Sequence, residues 1–232
     1  MCGRFVSTKT PQQLADYFSV DELAATEPRE NYNVAPTQQV PVVTEDEQHH
    51  RVLDTYHWGL IPSWAKDPKV GNRMINARLE TLQSKFKRTL ERRRCLIPAD
   101  GFYEWQDRPK GQRKQPFFIH RKDGEPLAFA GLWEVWHDPE DPDAEPLRTC
   151  SIITTDANQV VARTHDRMPV MLPPAAWQPW LDVEQHDVDA VRRLLVTATP
   201  DGLEVYPVST DVISVKNDGA HLVEPLEGHD PD

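Results

Sequence analysis

Cysteine is scarce in this chain: three residues in 232, at Cys2, Cys95 and Cys150. The count is odd and no two form a C-x-x-C pair. That argues against a disulfide framework and against a cysteine-based zinc site. Cys95 and Cys150 stand in apolar runs and read as buried small hydrophobes. No metal site and no cofactor is expected. Long apolar runs are missing as well. No stretch approaches the roughly 20 residues that cross a bilayer. The start, Met-Cys-Gly-Arg-Phe, has no apolar segment behind it, so no signal peptide is read there. A cytoplasmic monomer with no membrane partner is the expectation. Repeats, low-complexity tracts and interdomain linkers are absent too, and the 21 prolines are scattered. One domain over residues 1–226 follows. The acidic tail, 227–232, is expected to be disordered.

Positive charge is also in deficit. The net charge is −11, with 26 Lys and Arg against 37 Asp and Glu. Taken whole, that is wrong for a nucleic-acid binder. The charge is unevenly placed, however. Asp138, Glu140, Asp141, Asp143 and Glu145 cluster in a proline-broken loop. Arg73, Arg78, Lys85, Lys87, Arg88, Arg92, Arg93 and Arg94 are opposed only by Glu80 and Glu91. A basic face on an acidic body is therefore available.

Patterning favours strands. Val40–Thr44, Val52–Trp58, Leu96–Pro98, Gly101–Gln106, Phe117–Arg121, Leu127–Val135, Thr149–Thr154, Val170–Leu172 and Leu203–Val208 all read as extended. Helices are few and short. Thr10-Pro11-Gln12-Gln13 carries an N-cap, a proline at the first helical position and a capping-box glutamine. Leu79, Leu82, Phe86 and Leu90 predict a second helix. Asp156 is expected to cap a short helix through Val161. Pro174–Leu181 and Val188–Leu195 predict two more. Strands and helices do not alternate, which disfavours a doubly wound sheet. The expectation is an α+β domain whose curved, mainly antiparallel sheet carries a few short flanking helices.

Among the residues suited to chemistry, Cys2 stands out by position. If Met1 is trimmed, Cys2 carries a free α-amine beside its thiol. Their ordinary pKa values are about 7.7–8.0 and about 8.5, so both nucleophilic forms are accessible near neutral pH. The amine can attack an aldehyde to give an imine, and the sulfur can then close a five-membered thiazolidine. The same pair can instead serve a thiol that attacks an amide. Gly3 permits close backbone approach to a ligand. Glu104 lies between aromatics on a predicted strand, where period two puts it on one face with Phe102 and Gln106. A carboxyl in apolar surroundings has a raised pKa and can act as acid or base. The alternative is a strand-edge carboxylate facing water. His165 stands in a loop beside Asp166 and Arg167 and suits proton transfer at neutral pH. Asn76 and Arg78 precede the basic helix. Asn can donate to a sugar oxygen and Arg can fork onto phosphate, or Asn76 can be a turn residue. Trp58 and Trp64 put aromatic surface in a Gly/Pro-rich loop. Exposed aromatics stack on unpaired bases, although Trp58 reads as core. His49 and His50 read as solvated turn residues.

These residues fall in short motifs: Met-Cys-Gly-Arg-Phe, Tyr32-Asn-Val-Ala-Pro36, Trp58-Gly-Leu-Ile-Pro62, Ile75-Asn-Ala-Arg78, Cys95-Leu-Ile-Pro-Ala-Asp-Gly-Phe-Tyr-Glu-Trp105, His165-Asp-Arg-Met-Pro169 and Val215-Lys-Asn217. The set, in this order from Cys2 to about Leu222, resembles the SOS-response-associated peptidase family, the abasic-site shields. The resemblance implies a single α+β domain around a distorted β-barrel. It implies that Cys2 captures the aldehyde of an abasic site in single-stranded DNA as a thiazolidine. It assigns Glu104 the amine proton and the reversal, His165 the opening of the deoxyribose ring, and Asn76 the orientation of the aldehyde or the ring. Arg78 and Arg167 match positions that hold phosphates, and Arg4, Asn33 and Trp64 are placed along the DNA groove. The family's peptidase activity exposes Cys2. Here only Met1 precedes it, so an aminopeptidase would also suffice. Two rivals stay open. One is an N-terminal-nucleophile glutamine amidotransferase, which also begins Met-Cys-Gly. The other is a non-covalent single-stranded nucleic-acid binder in which Cys2 is incidental.

Overall fold

A computed structural model describes residues 2–24 and 29–226. Met1 and the acidic tail 227–232 lie outside the described residues, and with them the expected loss of Met1 and the expected disorder of the tail. In chain order the elements are β1 (Phe5–Ser7), α1 (Pro11–Phe18), β2 (Glu22–Leu23), β3 (Asn31–Val34), β4 (Gln39–Glu45), β5 (Arg51–Trp58), β6 (Asn76–Arg78), α2 (Leu82–Lys85), α3 (Lys87–Arg92), β7 (Arg94–Ala99), β8 (Gly101–Gln106), β9 (Gln115–Arg121), β10 (Leu127–Trp136), β11 (Leu147–Asp156), β12 (Arg167–Pro169), α4 (Pro174–Leu181), α5 (Val188–Arg192) and β13 (Leu203–Pro207).

The strands form two sheets. One is antiparallel, in the order β13-β9-β8-β1-β3. In the other, β11, β10, β7, β4 and β5 follow one another, and β5 pairs back onto β11 in parallel at Thr149↔His57 and Cys150↔Trp58. That pairing closes a five-stranded barrel, which removes the open edges such a sheet would otherwise expose. β2, β6 and β12 extend it. The expected α+β domain with a distorted, mainly antiparallel barrel is what the chain adopts.

Period two divides the barrel strands between two cores. Cys95, Ile97 and Ala99 of β7, with Leu127 and Phe129 of β10, join Phe5, Phe102 and Ile119 of the antiparallel sheet. Cys2 lies in this core. Leu96, Ala128, Ala130 and Leu132 point the other way and pack against Leu14 and Phe18 of α1 and Trp177 and Trp180 of α4. The first helix begins as predicted: Thr10 and Gln13 form a reciprocal capping box.

Three expectations change. The predicted helix from Leu79 to Leu90 is broken. A 3-10 turn over Leu79–Thr81 leads into α2, and Phe86 (φ −128°) separates α2 from α3. Phe86 turns into the core with Leu82 and Leu90 at the expense of helix continuity. Asp156 does not cap a helix, because it ends β11 opposite Arg167. Asn158 does the capping, its Oδ1 accepting from the amides of Val160 and Val161. Finally, the strand expected at Val170–Leu172 lies at Arg167–Pro169 instead.

Two residues of the basic cluster also turn inward. Arg94 is buried and donates to the carbonyls of Leu90, Glu91, Trp180 and Asp182. A cation there satisfies the orphaned C-terminal carbonyls of α3 and α4. Arg93 pairs with Glu134 and lies over the Trp133 ring. Arg73, Arg78, Lys85, Lys87, Arg88 and Arg92 remain exposed. Among the described residues no helix is long and apolar enough to cross a membrane.

Candidate functional site

The site begins with strand register. β1 runs antiparallel to β8, Phe5 opposite Phe102, and Tyr103 N donates to Arg4 O at 3.0 Å. The segment before β1 therefore continues along β8. Alternation sends Tyr103 to a separate core, while Glu104 shares the face of Phe102 that looks toward Cys2. Cys2 is fully buried and Glu104 is 1% exposed. Burial pushes the Cys2 thiol well above the usual thiol range, and the negative charge of Glu104 pushes it further. Burial likewise pushes the Glu104 carboxyl up to about 7, with Asp166 adding to the effect. Glu104 lies on the predicted face and is buried, so it is not an edge carboxylate facing water.

Asn76 arrives from the other side. After β5 the chain turns at Gly59 (φ +141°), where Gly59 and Gly71 meet backbone to backbone. A Cβ on Gly71 would lie 2.6 Å from Gly59 O, so only glycine fits this contact. Leu60 N then bonds Met74 O, Trp58 Nε1 donates to Ile75 O, and Ile152 N donates to Ile75 O. β6 is thereby fixed beside β11, with Asn76 opposite Ile152. Asn76 Nδ2 donates to Cys2 O at 2.8 Å. Its Oδ1 is buried and has no hydrogen-bond partner among the described residues. A buried amide oxygen without a partner in the protein retains the capacity to accept a hydrogen bond from a bound group.

His165 lies between the 3-10 turn Val161–Arg163 and β12. Its side chain is about a quarter exposed, and burial lowers its pKa. Arg167 N donates to His165 Nδ1 at 3.0 Å. An N–H aimed at Nδ1 makes that nitrogen an acceptor and leaves the proton on Nε2. Asp166 Oδ1 also stands 3.0 Å from Nδ1, but Asp166 is exposed. Protonation at Nδ1 would favour that carboxylate over the amide.

The residues expected along a DNA groove fare differently. Trp64 is 79% exposed, in a loop held where Trp136 Nε1 donates to Ala65 O. Trp58 is core, against Phe5. Arg78 is exposed at the end of β6. Arg4 is half-buried: it donates to Asn33 Oδ1 and Val212 O and lies over the Trp105 ring. Asn33 is 1% exposed, and its Nδ2 donates to the carbonyls of Val212, Ser214 and Asn217. It shapes the 212–217 loop from beneath and presents no free atom to a strand of DNA. Arg167 is buried, and its guanidinium binds Glu80, Asp156 and Thr154 O. In this state it holds carboxylates and a carbonyl where a phosphate was expected.

Sequence reasoning gave Glu80 and Asp156 no part in the site. It also passed over the Arg108, Lys110, Arg113 and Lys114 hairpin between β8 and β9. A cavity of about 620 Å³ beside that hairpin is lined by Trp105, Arg113, Lys114, Ile213 and Asn217. The density of Lys and Arg between strands was the available signal. One group with metal-ligand character occurs among the described residues: donor atoms of Glu45, His49 and Asp182 lie within 4.8 Å of one another. Glu45 and His49 already bind each other at 2.9 Å, and the second Glu45 oxygen accepts from Gln178.

The family model described as SOS response associated peptidase matches residues 1–215. The chain is 43% identical over 227 residues to the abasic site processing protein YoqW of Bacillus subtilis, covering 97% of this chain and 99% of that protein. It is 35% identical over 233 residues to the abasic site processing protein YedK of Escherichia coli, covering 97% and 100%. Among solved structures, a protein from Bacteroides thetaiotaomicron superposes with a TM-score of 0.84 at 23% identity, covering 97% of this chain and all of that one.

Proposed function

The chain belongs to the SOS response associated peptidase family, and on that premise we propose that it processes abasic sites by covalent capture at Cys2. The observation that carries the reading is convergence on one residue. Asn76 bonds the Cys2 carbonyl, and the buried Glu104 is close enough for its charge to act on the Cys2 thiol. Single-stranded DNA bearing an abasic site is the substrate.

The chemistry proceeds in balanced steps. Removal of Met1 frees the Cys2 amine. That amine adds to the lesion's aldehyde carbon, and loss of one water leaves an imine. The Cys2 sulfur then adds to the imine carbon, and its proton ends on the nitrogen, closing the thiazolidine. A thiol raised by burial is protonated at neutral pH and needs a nearby base to react. Glu104, with a pKa near 7, can take a proton and return it at the same pH. The same exchange, run backward, serves reversal. An abasic sugar must open its ring before it offers an aldehyde: the bond to the ring oxygen breaks as the proton of the anomeric hydroxyl passes to that oxygen. His165, neutral with its proton on Nε2, is suited to hydrogen-bond the ring oxygen as this transfer proceeds. Asn76 Oδ1 is the acceptor for a sugar hydroxyl or an N–H of the adduct. Trp64 and Arg78 are the exposed groups suited to a flanking base and a phosphate.

The test mixes the mature protein with a single-stranded oligonucleotide containing one abasic site and looks for a species that survives denaturation. The native protein forms it and Cys2→Ser does not, because a hydroxyl closes no stable thiazolidine. No adduct with the native protein, or glutaminase activity in its place, would overturn the proposal.

A further inference from the structure

β6 and β12 flank the end of β11 on opposite edges, since Thr154 is in register with both Arg78 and Pro169. β6 brings Asn76, and the loop before β12 brings His165. These two side chains therefore arrive on separate strands that do not pair with each other. Arg167 joins them. From β12 its guanidinium bonds Thr154 O at 2.8 Å and Asp156 Oδ1 at 2.7 Å, both on β11. It then reaches Glu80, just past β6, with two bonds of 2.7 and 3.1 Å to the two carboxylate oxygens. The paired bonds are the bidentate fork that fixes direction as well as distance. At the same residue, the backbone amide donates to His165 Nδ1.

We propose that Glu80 is a positioning residue: through Arg167 it holds the Asn76 strand and the His165 loop in one arrangement and keeps the His165 proton on Nε2. The inference rests on the capture reading for the roles of Asn76 and His165, but its own readout does not need DNA. Glu80 is half-exposed, so its contribution is directional more than energetic. The alternative partner for His165 Nδ1 is Asp166, on the same loop. Asp107 and Lys114, from the hairpin between β8 and β9, are among the other charges felt there, with the chain's amino terminus. When the Arg167 amide drifts, Nδ1 can take a proton and turn to Asp166.

The experiment follows the His165 imidazole in the free, full-length protein by nitrogen NMR, alongside the pH profile of adduct formation. Glu80→Ala is expected to populate the Nδ1-protonated form and move the acid limb of the profile upward by roughly half a pH unit. It is expected to slow capture about 10-fold at neutral pH, as loss of alignment does. Glu80→Gln keeps the shape of the fork without its charge and falls between the two. It carries the test if Glu80→Ala does not fold. An unchanged His165 tautomer and midpoint, with only a lower melting temperature, would make Glu80 a structural brace and overturn the inference. So would faster capture at every pH, which would make Glu80 a charge that repels DNA. Absence of adduct with the native protein would sink the capture reading instead, and the NMR comparison would still decide this one.

Discussion

Replacing Glu104 with Gln separates stability from chemistry at one atom. The Glu104 carboxyl is 1% exposed and its pKa rises from 4.5 to about 7, chiefly through burial. A folded pKa above the unfolded one means that the folded state binds the proton more tightly. The stability that comes from protonated Glu104 is full below about pH 4.5 and is lost as pH rises through about 7. A rise of that size corresponds to about 3 kcal/mol at pH 8, as an upper bound. Gln is close in shape and never ionises. Glu104→Gln is therefore expected to match the native protein near pH 4.5 and to exceed it at pH 8 by up to about 3 kcal/mol. In a chain of this length each kcal/mol is about 2–4 °C in melting temperature. The same variant loses its proton relay, so capture should slow by about 10² or more. Urea titrations at pH 5 and pH 8, with a gel assay of adduct formation, read both effects. A variant less stable than native at pH 8, or one that captures at the native rate, would refute the account of Glu104.

Other residues give contrasting expectations. Trp64→Ala should leave the melting temperature unchanged, since the ring is exposed, and weaken non-covalent binding of single-stranded DNA by about 1–3 kcal/mol in a titration. Asn33→Ala should do the reverse. It leaves the Asn217 carbonyl and one N–H of Arg4 without a partner and removes one of two donors to each of the Val212 and Ser214 carbonyls, at a cost of about 3 kcal/mol. A stable Asn33→Ala protein with lost DNA affinity would return that residue to the groove. On a chain of net charge −11 the exposed Arg and Lys contacts to phosphate should give a weak encounter with DNA that salt weakens further. Raising salt is expected to slow capture while leaving the final adduct yield high. A yield that falls in step with binding would count against covalent capture.

The local chemistry of the site was legible because it depends on short-range rules. Alternation alone put Glu104 on the face of Phe102, and β8 has the bounds the pattern predicted. The capping box set the start of α1. Very short strands were not legible. β3 (Asn31–Val34) and β6 (Asn76–Arg78) are too short for their alternation to stand out and owe their form to pairing with β1 and β11. Arg94 and Arg167 look like surface cations in sequence. Their partners are brought together only by the closed barrel: Trp180 lies 86 residues from Arg94, and Glu80 lies 87 from Arg167. For the same reason Asp156 reads as a helix cap until β12 is laid beside it. Asn33 illustrates a further limit: a motif marks a residue as belonging to the site region without saying whether it contacts a ligand or supports the loop that does.

The central claim is that the amine and the thiol of Cys2 both bond to one aldehyde carbon, and the intact mass of the adduct tests it most directly. The expected mass is that of the chain without Met1 plus that of the abasic oligonucleotide, less one water, with no free thiol at residue 2. An adduct that retains Met1, or one in which Cys2 still reacts with a thiol reagent after denaturation, would contradict it.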